Sequence, residues 1–185
     1  NLLLELLTPV AKSWPSEFCL EANKHAIQVL GGYGYTKDFP LERFYRDNRL
    51  NPIHEGTHGI QALDLIGRKV FANEGKSFIY LLTLIKETIS KAKKDAELKI
   101  FGDQLEASIM HLESVVESIK LKRKNSSDYL ALSSAGIFLD AFGLILIDWM
   151  WLKQGIIVFD KLRVEDTNPF YLGKKSTIKF YFNHD

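Results

Sequence analysis

The 185-residue chain has a single cysteine, Cys19, so no internal disulfide can form and nothing points to an oxidising compartment. A reducing cytoplasm is the expected setting. Neither charge sign is in excess: 24 Lys and Arg against 23 Asp and Glu leave a net charge of +1, too little for a field that binds nucleic acid or anionic lipid. Five prolines and two methionines are few, and the first residue is Asn1, followed by an apolar helical run from Leu2. There is no basic segment leading an apolar one and no small-residue cleavage site, which argues against a secretory signal. The chain reads as a piece cut from a longer protein.

What is present is an ordinary globular composition, 46% hydrophobic and 25% charged, enough for one domain or two small ones. The most apolar stretch, Tyr129 to Leu152, is long enough to raise the question of a membrane span. Asp140 and Asp148 lie eight residues apart in it, on one helical face, and a carboxylate near mid-bilayer costs several kcal/mol. It is therefore expected to be a buried bundle helix, with the two aspartates on its wetter side.

Helical periodicity dominates. Phe18, Ala22, Ala26, Val29 and Leu30 share one spacing pattern, and Leu105, Ile109, Leu112, Val116 and Ile119 share another. Only Ser176 to Phe182 alternates like a strand, and its surroundings favour helix. The glycines from Gly31 to Gly34 should end a helix that begins near Trp14. Pro40 should open a short helix, Leu41 to Asn48, and Gly56-Thr57 offers a cap for the next, running to about Val70. After a break at Asn73 to Gly75, three long amphipathic segments are expected at about Lys76 to Ile100, Gln104 to Lys124 and Ser127 to Leu152. The fold class is all-α, an antiparallel helical bundle followed by a second one, with domains at residues 1–72 and 73–185. The polar run from Lys120 to Asp128 reads as a solvated helix end and loop rather than a nucleic-acid patch.

Unusual chemistry concentrates at residues 28–59. His54-Glu55-Gly56-Thr57-His58 formally matches the zinc motif H-E-x-x-H, which needs both histidines on one unbroken helical turn. Pro52 before it and Gly56 within it break that turn, and no third ligand is evident, so no metal site is expected. Gly32-Tyr33-Gly34 lacks the third glycine and the preceding strand of a dinucleotide-binding loop. Glu55, between Pro52 and Gly56 and just ahead of a helix, fits two readings. It is a helix-start charge favoured by the macrodipole, the preferred reading on these features alone, or a general base whose proton affinity rises when a substrate excludes water. Spacing does not decide between them.

Three ordered segments carry a resemblance: Ala26 to Tyr35 with its Gly31-Gly32 pair, Pro40 to Asp47, and Ile53-His54-Glu55-Gly56-Thr57-His58-Gly59-Ile60-Gln61. Together, over residues 1–72, they resemble the C-terminal helical domain of acyl-CoA dehydrogenases. The remainder, with the ending Asn168 to Lys174, looks like the extra C-terminal helical domain of the larger bacterial members, among them methylthiopropanoyl-CoA dehydrogenase-like enzymes.

The resemblance implies an FAD flavoprotein that oxidises an acyl-CoA to the trans-2-enoyl-CoA and passes electrons to an electron-transfer flavoprotein. It makes Glu55 the catalytic base, sets Gly56 against substrate, puts Thr57 and Gly59 at the flavin, and has Gln28, Gly31 and Gly32 reach the FAD of a partner subunit in a homo-oligomer. His54 and His58 depart from the family pattern, which usually has an aromatic residue and a small polar one there. Most flavin and CoA contacts in the family belong to domains this chain lacks, so the isolated fragment is expected to bind FAD weakly or not at all and to be catalytically silent. The rival reading is a non-dehydrogenating relative acting as a DNA-binding or scaffold module; the retained Glu55-Gly56-Thr57 and the near-zero charge favour the enzyme.

Overall fold

The computed structural model describes residues 2–54, 56–164 and 167–184, and among them every regular element is helical. The helices are α1 (Leu2–Leu30), α2 (Gly32–Tyr35), α3 (Leu41–Asn48), α4 (His58–Asp64), α5 (Lys76–Ala92), α6 (Lys99–Asn125), α7 (Asp128–Ala131), α8 (Ala135–Arg163) and α9 (Pro169–His184). The all-α expectation holds. The chain divides into two compact units, residues 1–78 with 132–141, and residues 79–131 with 142–185.

In the first unit α1 starts at Leu2 rather than near Trp14 and runs through Pro9 and Pro15. Each proline removes a backbone donor and would end an isolated helix. Here Leu6, Pro9, Val10 and Ser13 are buried along one side, and α3, α4 and the turn after α4 all pack on α1, so tertiary burial overrides the local cost. Gly31, at φ +56°, ends α1 as its position predicts, and Pro40 opens α3. α4 passes directly into a π-helical turn, Leu65–Lys69, whose Leu65 and Ile66 are fully buried. Asn73, Glu74 and Gly75 are three successive left-handed residues, which is why the chain breaks there before α5.

The C-terminal half of α1 does not bury its apolar pattern. Phe18 and Val29 are exposed, as are Tyr33, Tyr35, Phe44, Ile53 and Ile60 on the elements that follow. The periodicity is real, but the surface it makes is uncovered by this unit.

The second unit is a bundle built as the sequence pattern dictates. Leu105, Ile109, Leu112, Val116 and Ile119 all point into its core, joined by Leu81, Ile85 and Ile89 of α5 and Ile145, Trp149 and Leu152 of α8. Lys86 binds Glu113 at 2.8 Å and Lys93 binds Glu106 at 2.7 Å, so α5 and α6 run antiparallel. α8 and α9 do the same, through Tyr181 to Asp148 and Lys174 to Gln154. Asp148 is thus half-buried against α9 rather than simply wet, while Asp140 is exposed.

α5 ends at Ala92, short of the expected Ile100. Helix propensity stays high to Lys99, but the Asp95 carboxylate accepts the backbone N–H groups of Glu97 at 2.7 Å and Leu98 at 3.0 Å, a local alternative to helical pairing that turns the chain into α6. The tail that alternated like a strand is helical in α9, burying Ile178 and Phe182. Asp128–Arg163 is long and apolar enough to cross a membrane by length and composition.

Candidate functional site

The site elements lie in the first unit. Residues 49–54 form a succession of turns leading out of α3, Gly56 takes φ +96°, and Thr57 in extended conformation precedes α4. The backbone angle favours glycine here, and the atom nearest to a Cβ on Gly56 would be the Gln61 side-chain nitrogen at 2.8 Å, the movable end of a flexible side chain. Gln61 is buried one turn into α4, under that glycine. Glu55 itself lies outside the described residues.

Thr57 sits at the N-cap without a side-chain cap hydrogen bond, and Thr57 and Gly59 are both exposed. A different side chain fixes the start of α4. The His58 ring lies with Nδ1 2.6 Å from the Ser13 hydroxyl of α1 and Nε2 3.5 Å from the Asp140 carboxylate of α8. The His58 ring is thus hydrogen-bonded to Ser13 and lies near Asp140, while His54 sits in the turn before α4 and not on its helix. The two histidines of the zinc-like pattern share no helical turn. Among the described residues no group of three His, Cys, Asp or Glu side chains could hold a metal ion.

A hollow of about 320 Å³ opens between α1 and the end of α3, lined by Lys12, Ser16, Cys19, Asn48, Asn51 and His54 among others. It lies immediately beside the turn that leads to residue 55. Sequence gives Ser13 and Gln61 no role, and it marks Asp140 only as a carboxylate on the wetter side of the apolar helix. Nothing in their spacing places them here, because they meet His58 or Gly56 only through the packing of α1, α4 and α8.

The glycine turn is elsewhere. Gln28, Gly31 and Gly32 are exposed at the far end of α1. Fifteen residues of helix separate Gln28 from Ser13, which touches α4, and that is roughly 22 Å at 1.5 Å per residue. α2 packs on α1 and α3, whereas α4 packs on α1 and the π-helical turn. A single chain therefore does not bring residues 28–32 and 56–59 into one site. Gly31, Gly32 and Gly59 have no atom of the chain within 4 Å of where a Cβ would sit, so each presents bare backbone to open space.

Two family models account for nearly the whole chain. Residues 4–71 match the acyl-CoA dehydrogenase C-terminal domain, and residues 81–184, more than half of the chain, match the domain described as acetyl-CoA dehydrogenase C-terminal like. The chain belongs to the acyl-CoA dehydrogenase family. Relatives include the broad-specificity linear acyl-CoA dehydrogenase of Mycobacterium tuberculosis, 25% identical across 96% of this chain and 30% of its own length. The 3-methylmercaptopropionyl-CoA dehydrogenase of Ruegeria pomeroyi is 36% identical across 50% of this chain and 16% of its own. A butyryl-CoA dehydrogenase of Syntrophomonas wolfei subsp. wolfei is 27% identical across 94% of this chain and 29% of its own. The chain thus spans less than a third of the length of these acyl-CoA dehydrogenases. Glu55-Gly56-Thr57 falls inside the first matched domain, and the first unit's left-handed Gly56 and uncovered glycines belong to that dehydrogenase domain.

Proposed function

We propose that this chain is the C-terminal part of an FAD-dependent acyl-CoA dehydrogenase that removes hydrogen from Cα and Cβ of an acyl thioester to give the trans-2-enoyl-CoA. The observation that carries the reading is the dehydrogenase domain matched over residues 4–71, which includes the Glu55-Gly56-Thr57 sequence, with Gly56 and Thr57 leading into α4. Glu55 is the base: its carboxylate takes the α-proton as the Cα–Cβ double bond forms. Bound FAD supplies the acceptor for the β-hydride. An α-proton of a thioester is weakly acidic, and exclusion of water by the acyl chain raises the proton affinity of the carboxylate toward what the step demands.

Gly56 allows close approach of the thioester to the backbone. Thr57 and Gly59 line the cofactor at the start of α4, where uncapped N–H groups favour negative charge. Gln28, Gly31 and Gly32, at the far end of α1, serve a second cofactor held mainly by a neighbouring subunit. That arrangement makes the active form a homo-oligomer, and the apolar side chains left uncovered on the first unit are consistent with burial against further protein. The second unit, residues 79–131 with 142–185, contributes subunit contacts, and an electron-transfer flavoprotein receives the electrons. The isolated chain is catalytically silent.

Anaerobic titration of the full-length flavoprotein with a panel of acyl-CoAs tests the reading. At least one thioester should bleach the flavin with stoichiometric enoyl-CoA formation. A fully oxidised flavin after every thioester would sink it and favour a binding or scaffold role.

A further inference from the structure

α4 begins at a residue whose ring reaches side chains of two other helices. Thr57 makes no side-chain hydrogen bond to the helix start. Instead the His58 imidazole meets the Ser13 hydroxyl, 3% exposed on α1, and the Asp140 carboxylate in the early turns of α8. Gly136, one turn before Asp140, lies so close that a Cβ there would sit 4.0 Å from Nε2; the ring rests against a helix surface without a side chain. The Ser13 hydroxyl lies 2.6 Å from Nδ1 and the Asp140 carboxylate 3.5 Å from Nε2, so a single ring faces both helices.

Serine, histidine and aspartate in contact invite a hydrolytic reading, and the geometry rejects it. A nucleophilic serine faces Nε2 and is open to substrate, whereas Ser13 faces Nδ1 and is buried within α1. What the cluster does is fix a position. α1 and α8 are long helices, and the short α4 is tied to both through one ring placed three residues after Glu55 and next to Thr57.

We propose that His58 is a positioning residue for the dehydrogenation, a clasp through which Ser13 and Asp140 hold the start of α4, and with it Gly56 and Thr57, in register with substrate and flavin. This rests on the function proposed above. A base displaced by about 1 Å can lose one to two orders of magnitude in rate without loss of binding.

The test uses the full-length flavoprotein, with FAD content confirmed for each variant. Relative to wild type, His58→Ala is expected to slow flavin reduction by acyl-CoA about ten-fold while KM stays within about two-fold. His58→Asn keeps an acceptor near the Nδ1 position and His58→Gln a donor near Nε2, so each should recover part of the loss. Ser13→Ala combined with Asp140→Asn should match His58→Ala. Hydrogen exchange at residues 58–64 should accelerate in the same order, and that readout stands whether or not any acyl-CoA reduces the flavin. Unchanged exchange, or kcat and KM falling together with no recovery by Asn or Gln, would overturn the clasp. Slow exchange in wild type, faster exchange in the variants and a flavin that no thioester reduces would keep the clasp and discard the dehydrogenase reading.

Discussion

Trp149 donates its indole N–H to the Thr88 hydroxyl at 2.8 Å, joining α8 to α5 inside the second unit across 61 positions of sequence. Thr88 in turn donates to the Leu84 carbonyl at 3.0 Å, so one small hydroxyl satisfies a buried indole while staying paired itself. Thr88→Val keeps the shape and leaves the indole N–H buried without an acceptor. The expected cost is about 1–3 kcal/mol in urea-induced unfolding, and adding Trp149→Phe should add less than its own single-variant cost. An unfolding midpoint unchanged by Thr88→Val would show that the bond contributes nothing.

The glycines of the first unit divide by what surrounds them. A Cβ on Gly34 would sit 2.5 Å from the Ile27 carbonyl oxygen, a clash with backbone that no side-chain movement relieves. Gly34→Ala should therefore cost about 2–3 kcal/mol, and Gly56→Ala, strained in angle but facing the movable Gln61 side chain, about 1–2 kcal/mol. Gly59→Ala meets nothing and should be neutral or slightly stabilising within a helix, by at most about 1 kcal/mol. In the full-length protein Gly59→Ala should nonetheless lower bound flavin, because the methyl enters space assigned to the cofactor. Thermal unfolding and flavin absorbance on the same samples separate the two effects.

Much of this architecture could be read from residues alone, and the exceptions have specific causes. The α6 stripe from Leu105 to Ile119 is buried as its spacing demands, since a helix with one apolar face and a bundle to bury it in leaves little choice. The same spacing at Phe18 and Val29 predicts a face but not what covers it, and both are exposed. Pro9 and Pro15 argue locally for a break, yet α1 runs through them because its buried side is shared with three later elements. Asp95 stops α5 through a side-chain bond that propensity does not register. At the site, the tight turn at Gly56 and the cap position at Thr57 are visible as sequence signals. The His58 clasp is not, because Ser13 and Asp140 are 45 residues before it and 82 after it in a contact that only folding creates.

Glu97 anchors α9 to the start of α6 through Lys175 at 2.8 Å and Lys179 at 2.6 Å. The hydrogen bond from Lys175 first, then that from Lys179, holds its carboxyl below the usual 4.5. A carboxylate lowered by folding stabilises the native state above its unfolded value, and that contribution is lost as pH falls through the folded value. Glu97→Gln should lower stability at neutral pH by about 0.2–1 kcal/mol, the range for half-exposed pairs, and the gap to wild type should close as pH falls from neutral into the acid range below 4.5. Thermal melts of both proteins across that range, repeated in high salt to shrink the gap, check the sign.

The apolar side chains exposed on the first unit should be buried in the full-length protein. Hydrogen exchange and limited proteolysis at residues 28–53 are expected to slow sharply in the intact flavoprotein relative to the 185-residue chain. Equal rates in both would remove the argument that this face is an interface.

The most direct measurement is the rate at which a productive acyl-CoA reduces the flavin of full-length protein carrying Glu55→Gln. The account predicts a fall of about 10²–10⁴-fold with bound FAD and acyl-CoA affinity retained, because only the proton acceptor has been removed. Reduction within a few-fold of wild type, at unchanged flavin content, would contradict the assignment of residue 55 as the base.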